Sequence, residues 1–485
     1  MDDRVDTGIP GLDTILRGGL LRGGVYIVEG APGSGKTILG NQICFHRAAR
    51  GDSTVYMTLL AESHTRMISH LRGMGFFRPE LVGKSIYYIS AFKVLEQSGI
   101  DGLLKAIRDA QHQRSASFIV LDGLVSAEEF AATPRDFKKF IHELQMISGM
   151  TGATVLLLSS TERPDSYRAE HTMVDGIVEL SEIASGVRSI RNLVVRKMRG
   201  TSQMRGRHGI EISDAGMHVR PRIEALLPGP DEADPHPAER APASFGVPAL
   251  DAMLSGGLPA PSTTVLLGPT GSGKTLLGLQ FLIAGARAGE PGLYLGFFER
   301  PAALRAKARR LALELDPLLA AGAVRLAWEA PVEGVLDAVV ERVLREVVEI
   351  GARRVCFDGL HGFRHNADYP DRTRAVFSAL ADTLAAMGVT SIFTLETTDL
   401  LGPRIEIPIE GVSALADNLI LLRHVELRSA LRRLISIVKI RDRAYDPHIR
   451  ELSITDRGLV VGDKFDSAEQ VLTGAARVIG EPPER

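Results

Sequence analysis

The sequence predicts an α/β fold: two tandem domains, each a mainly parallel sheet flanked by helices. Three observations carry this. Short apolar runs alternate with longer helical patterns, one block of sequence recurs about halfway along, and in each copy a glycine-rich turn joins the first apolar run to a helix. A chain of 485 residues with 45% apolar composition can bury ample core and exceeds the usual span of one domain.

The alternation comes first. In the first half the apolar runs are Val25–Val28, Thr54–Met57, Phe118–Leu121 and Thr154–Leu158. Runs apolar on both faces suit parallel strands covered by helices, which gives the α/β class.

The repeat comes next. Gly8-Ile9-Pro10-Gly11-Leu12-Asp13, continuing to Gly18-Gly19-Leu20, returns as Gly246-Val247-Pro248-Ala249-Leu250-Asp251, continuing to Gly256-Gly257-Leu258, an offset of 238 (246 minus 8). Lys36 and Lys274 keep that offset, and Asp122 and Asp358 differ by 236 (358 minus 122). A period this long means duplication of a whole globular unit rather than a solenoid. Between the copies, residues 226–243 carry five prolines and read as an extended, semi-rigid linker. The expected domains are therefore 1–225 and 244–463, with a short tail at 464–485.

The glycine-rich turns carry chemistry. Gly30-Ala31-Pro32-Gly33-Ser34-Gly35-Lys36-Thr37 and Gly268-Pro269-Thr270-Gly271-Ser272-Gly273-Lys274-Thr275 both satisfy G-x-x-x-x-G-K-[ST] between a strand and a helix. Backbone N–H groups must point inward around a phosphate, glycines permit the positive φ this needs, and the helix N-terminus adds a favourable field. Lys36 and Lys274 then reach the β/γ-phosphates of ATP, and Thr37 and Thr275 offer hydroxyls to Mg²⁺. One such turn could arise by chance; two at equivalent places in a duplicated unit do not.

Asp122 and Asp358 each end a buried run, where an α/β sheet binds its ligands, and are expected to hold Mg²⁺ through water. Hydrolysis also needs a group that orients or deprotonates water. Glu62 follows the second apolar run of the first copy and Glu299 that of the second, so these are the expected catalytic carboxylates.

Composition bounds the rest. With 57 basic against 59 acidic residues the formal charge is -2, which gives no global pull toward nucleic acid or an anionic membrane. Cys44 and Cys356 lie in apolar runs without a C-x-x-C partner and read as buried thiols in a reducing cytosol. The start, Met1-Asp2-Asp3-Arg4, lacks the basic and apolar segments of a signal peptide, and no run of about 18 apolar residues occurs. A cytoplasmic location with no membrane partner is expected.

These features together resemble the KaiC family of double-domain, RecA-like ATPases, over nearly the whole chain. A further segment adds to the resemblance: Arg196-Lys197-Met198-Arg199-Gly200-Thr201-Ser202, continuing to Gly206 and Ile212-Ser213-Asp214-Ala215-Gly216. The resemblance implies that Lys197 and Arg199, and Lys439 and Arg441 in the second copy, act on the ATP of a neighbouring subunit as arginine fingers do. It also implies a homohexamer with two stacked ATPase rings; which other protein partner reads its state has no signature in the chain.

Two departures from the family pattern matter. The family carries two adjacent glutamates after the second strand, whereas this chain has Ala61-Glu62 and Phe298-Glu299. Where the clock protein's second domain is phosphorylated on a Ser-Thr pair, this chain has Ser413-Ala414, which excludes a two-site cycle and leaves Ser413 as the expected phosphosite of a serine autokinase. The segment Phe465–Gly474 resembles the family's C-terminal loop region, and the longer tail that recruits a kinase-activating partner is expected to be missing.

Two other function classes fit parts of the sequence. A RecA/RadA- or DnaB-like DNA-dependent motor would use basic loops; Arg305, Lys307, Arg309 and Arg310 form one basic stretch, and Arg428, Arg432 and Arg433 another. Such runs are usually solvated faces, and aromatics at 5% with one tryptophan, Trp328, offer no stacking platform. A slow, nucleotide-switched scaffold is compatible with the reduced glutamate count.

Overall fold

The computed structural model describes residues 4–59, 64–160, 169–185, 188–227, 240–330, 335–362, 372–397, 415–427 and 429–465. Glu62 and Ser413 lie outside these. The chain divides into two compact units, Met1–Ala225 and Leu226–Arg485.

The first unit is built on nine strands, which we number β1 Val25–Gly30, β2 Thr54–Thr58, β3 Ile86–Ser90, β4 Phe118–Asp122, β5 Thr154–Ser160, β6 Gly176–Ser185, β7 Arg188–Met198, β8 Arg207–Ser213 and β9 Gly216–Arg220. Their spatial order is β3-β2-β4-β5-β1-β6-β7-β8-β9. The first six are mutually parallel, and the last three form an antiparallel extension. As expected for a sheet covered on both faces, β1 alternates between two cores. Tyr26 and Val28 pack with Leu39 and Ile43 of the helix Lys36–Ala49, α1. Val25 and Ile27 pack with Leu103 and Ile107 of the helix Phe92–Arg114 and with Phe140 and Leu144 of the helix Pro134–Thr151. Each such fully buried side chain contributes roughly 1.5–3 kcal/mol.

The second unit repeats this arrangement. Its strands are β10 Thr263–Gly268, β11 Gly292–Gly296, β12 Val324–Trp328, β13 Arg354–Asp358, β14 Thr390–Glu396, β15 Asn418–Leu427, β16 Ala430–Ile440, β17 Arg450–Thr455 and β18 Gly458–Lys464. The order is β12-β11-β13-β14-β10-β15-β16-β17-β18, with the same six parallel and three antiparallel members. The helix Lys274–Arg287, α2, lies so close to the sheet that a Cβ on Gly278 would stand 2.4 Å from Cys356 Sγ. Both cysteines are buried and free. Ahead of β10, Ala243 pairs with Leu258 and the Arg240 guanidinium donates to the Gly388 carbonyl at 2.9 Å.

The antiparallel extension reaches back to the glycine-rich turn. Gln42 of α1 accepts from Met217 N at 2.7 Å and donates to Met217 O at 3.1 Å, and Gln280 of α2 accepts from Leu459 N at 3.1 Å. One side-chain amide in each copy thus ties the terminal hairpin to the helix that begins at the phosphate loop.

Candidate functional site

In each unit the loop between the first strand and its helix takes the conformation that its glycines allow. Gly33 and Gly35 have φ of 82° and 100°, and Gly271 and Gly273 have 71° and 106°. These are left-handed values that L side chains rarely adopt. Gly35 and Gly273 also stand at the N-caps of α1 and α2, and neither helix start has a side-chain cap. The first backbone N–H groups of each helix therefore have no partner within the helix and suit an anion.

Lys36 Nζ donates to the carbonyls of Gly30 and Ala31 at 2.7 and 2.9 Å. Lys274 Nζ donates to Gly268 and Pro269, both at 2.7 Å. Each ammonium is curled over its own loop, and burial pulls its pKa below the usual lysine value, against the neighbouring Asp122 in the first copy and Glu396 and Asp358 in the second. The residues fit a triphosphate on a further ground: Ser34 and Ser272 are buried inside the loops, and among the described residues their Oγ atoms have no hydrogen-bond partner. An orphaned buried hydroxyl costs free energy unless something meets it.

Opposite each loop stands the strand-ending aspartate. Thr37 Oγ1 donates to Asp122 Oδ2 at 3.3 Å, and Thr275 Oγ1 to Asp358 Oδ2 at 2.7 Å. The structure therefore brings together the hydroxyl and carboxylate that the sequence marked for Mg²⁺ in each copy. It also adds a residue that sequence reasoning missed. Tyr56 OH donates to Asp122 Oδ2 at 2.7 Å and Tyr294 OH to Asp358 Oδ2 at 2.5 Å. Burial, and then the adjacent aspartate, push both phenols well above their ordinary pKa, so they stay protonated donors. In the second copy Thr394 Oγ1 holds the other oxygen of Asp358 at 2.6 Å.

Glu299 lies on the wall of a cavity of about 590 Å³ that is also lined by Lys274, Thr275, Asp358, His361 and Glu396. Its two carboxylate oxygens accept from Lys307 Nζ at 2.5 and 2.7 Å. The neighbouring Phe298, where the family pattern has a glutamate, is 59% exposed, and its ring lies where a Cβ on Gly359 would be.

The basic pairs near the ends of β7 and β16 stand elsewhere. Lys197 Nζ donates to the carbonyls of His171 and Thr172 at 2.9 Å each, and Arg199 pairs with Asp175 at 3.5 Å. Asp175 in turn accepts from Val25 N at 2.9 Å, at the end of β1 away from the phosphate loop. Lys439 donates to Ala416 O at 2.7 Å and Arg441 pairs with Asp417 at 2.9 Å, while Asp417 accepts from Thr263 N at 2.9 Å. A six-residue strand at about 3.3 Å per residue separates each pair from its own loop by roughly 17 Å, beyond side-chain reach.

The basic stretches considered for DNA are largely spoken for. Arg305 and Arg309 both pair with Asp316, at 2.8 and 2.5 Å, and Arg432 pairs with Glu451 at 3.0 Å. Among the described residues no helix is long and apolar enough to cross a membrane, and no group of His, Cys, Asp and Glu forms a metal cluster.

Two P-loops on parallel sheets of identical strand order, each facing a strand-ending aspartate, define a protein of tandem RecA-like P-loop domains. The model of the family described as ATPase: KaiC matches residues 5–224 and again 243–465. The chain belongs to the KaiC ATPase family. It is similar to the circadian clock oscillator protein KaiC of Picosynechococcus sp., 26% identical across 97% of this chain and 92% of the relative. It is also similar to the circadian clock oscillator protein KaiC 1 of Synechocystis sp. and to the circadian clock oscillator protein KaiC of Synechococcus elongatus, each 24% identical across 97% of this chain and 91% of the relative.

Proposed function

We propose that the chain is a Mg²⁺-dependent ATPase with two nucleotide sites, in domains 1–225 and 244–463, joined by a linker at 226–243 and followed by a tail at 464–485. The observation that carries this reading is the duplicated cluster of P-loop lysine, threonine, tyrosine and aspartate.

ATP supplies a phosphoryl group already activated by its own bridging oxygen, so the chain's work is positioning and charge stabilisation. Lys36 and Lys274 leave their loop carbonyls for the β/γ-phosphates, to which Gly33, Ser34 and Gly35, and Gly271, Ser272 and Gly273, turn backbone N–H groups. Thr37 with Asp122, and Thr275 with Asp358, would hold Mg²⁺, which would supply positive charge against the phosphate oxygens. Tyr56 and Tyr294 fix those aspartates by donating from the buried side. Glu62 and Glu299 orient the attacking water.

Lys197 and Arg199, and Lys439 and Arg441, act on the site of a neighbouring copy; their distance from their own loops supports a trans role, and with it an ATP-dependent homohexamer. Ser413 is the proposed autophosphorylation site. The relatives are named as clock oscillator proteins, and a signalling or regulatory ATPase in the cytoplasm, read out by a further protein, is the corresponding proposal here. The pairing of Arg305, Arg309 and Arg432 with acidic side chains favours it over a DNA motor.

Phosphate release and oligomer mass, measured together in ATP and in ADP for the wild type, Lys36→Ala, Lys274→Ala and the double mutant, test the proposal. ATP-driven assembly with turnover that falls in each single mutant supports it. A monomer without ATP-dependent turnover contradicts it and leaves the nucleotide-switched scaffold. Intact mass after incubation with Mg·ATP that gains no phosphate would remove Ser413 from the account.

A further inference from the structure

The two copies differ at the end of one strand. In each sheet a strand lies between the one leading into the P-loop and the one ending in aspartate. In the second unit that strand, β14, ends in Glu396, in register with Gly268; in the first, β5 ends in Ser160, in register with Gly30. Among the described residues, a carboxylate thus stands at only one of these two equivalent strand ends, beside the root of the phosphate loop.

The surroundings of Glu396 suit proton transfer. It lies on the wall of the cavity with Lys274, Thr275 and Asp358, where its charge, more than that of Asp358, works against the burial that lowers the Lys274 pKa. Two residues earlier on the same face of the strand, Thr394 donates to Asp358, so Glu396 shares that face with the aspartate's hydrogen-bond cluster. Glu299 is placed less well to accept a proton. Both its oxygens already accept from the Lys307 ammonium, at 2.5 and 2.7 Å, so neither is open to an attacking water without giving up that contact.

From this we propose that Glu396 is the general base of the second site, with no counterpart at Ser160 in the first. The proposal rests on the hydrolytic reading above. As the water oxygen attacks the γ-phosphorus, one of its protons passes to the Glu396 carboxylate. The bond from the γ-phosphorus to the oxygen bridging to the β-phosphate breaks, and that oxygen keeps the electron pair. ADP and phosphate leave, and Glu396 returns its proton to solvent. Glu299 then positions the water rather than deprotonating it, and the second site is the faster of the two.

The test uses the full chain carrying Lys36→Ala, so that turnover reports the second site. In this parent, Glu396→Gln, Glu396→Asp and Glu299→Gln are compared for phosphate release across pH and for affinity toward a fluorescent ATP analogue. Glu396→Gln is expected to lower turnover by about 100-fold or more, the scale of general-base catalysis, and to abolish the acid limb of the pH profile. Its ATP affinity holds or tightens, because a negative charge beside the triphosphate has gone. Glu396→Asp keeps part of the rate, and Glu299→Gln loses less than Glu396→Gln. A Glu396→Gln protein as active as the parent, with the acid limb intact, overturns the proposal alone, and so does a loss of ATP binding in step with turnover. A parent that binds ATP but releases no phosphate overturns the hydrolytic reading, and the proposal with it.

Discussion

Tyr294→Phe removes one oxygen atom from a buried site without changing its shape, and its effect can be worked from the hydrogen bonds of Asp358. That carboxylate accepts from Tyr294 at 2.5 Å, Thr275 at 2.7 Å and Thr394 at 2.6 Å. A hydrogen bond to a charged group contributes roughly 1.5–3 kcal/mol, and two of the three donors remain, so about 1.5 kcal/mol is expected. At about 1.4 kcal/mol per factor of ten, a loss felt in the transition state lowers turnover about tenfold. The same loss in ground-state stability lowers the melting temperature of the second unit by about 3–6 °C, taking roughly 2–4 °C per kcal/mol for a unit of this size. Phosphate release in the Lys36→Ala background measures the first, and differential scanning calorimetry the second. Because the phenol lies behind the aspartate, ATP affinity is expected to change less than about twofold. Turnover within twofold of the parent would refute the idea that the tyrosine fixes the aspartate, and a collapse of ATP affinity would show that it acts instead on the nucleotide pocket.

Other perturbations have equally definite outcomes. Lys274→Ala removes a preorganised positive charge and should lower second-site turnover by about 10²–10³, read as phosphate release in the Lys36→Ala background against the Lys36→Ala parent. Burial depresses the Lys274 ammonium in the free protein, and a bound triphosphate favours the charged form. ATP binding at alkaline pH should therefore take up protons, detectable by calorimetry in buffers of different ionisation enthalpy, and binding should weaken as pH rises through the depressed value. Gly278→Ala drives a Cβ to 2.4 Å from Cys356 Sγ and should cost about 1–3 kcal/mol through overpacking, seen as a lower thermal midpoint. Arg354→Met breaks a pair with Glu290 at 2.7 Å in which the arginine is 4% exposed. Glu290 is 25% exposed and keeps Arg240 at 3.1 Å, so the low end of the range for a broken buried pair applies, about 3 kcal/mol, measured by denaturant midpoint.

How much of this could be read from residues alone depends on where each signal lies. The P-loops were legible because their chemistry is held in contiguous sequence, and the sheets because Val25–Val28 and Phe118–Leu121 are apolar on both faces. The antiparallel extension was less so, since half-exposed strands such as Arg207–Ser213 carry a weaker pattern. Tyr56 and Tyr294 escaped because a tyrosine in an apolar run, Val55-Tyr56-Met57 or Leu293-Tyr294-Leu295, reads as core; the overlooked signal was their 238-residue offset (294 minus 56), shared with the lysines. Glu396 escaped for the opposite reason, since its partner position holds serine and a repeat highlights likeness. The separation of Lys197 and Arg199 from their own loop, and the grip of Lys307 on Glu299, depend on chain reversal and side-chain packing that no local pattern encodes.

The central claim is that each nucleotide site needs a neighbouring copy, and subunit mixing tests it most directly. Lys36→Ala is introduced throughout, so that only second sites turn over. One pool also carries Lys274→Ala and the other Lys439→Ala with Arg441→Ala; each alone should release almost no phosphate. Mixed and reassembled in ATP, the pools should regain a substantial share of the parent rate, because an intact P-loop from one copy meets an intact basic pair from the other. No recovery, with mixed oligomers demonstrated by mass, would contradict a trans role for Lys439 and Arg441.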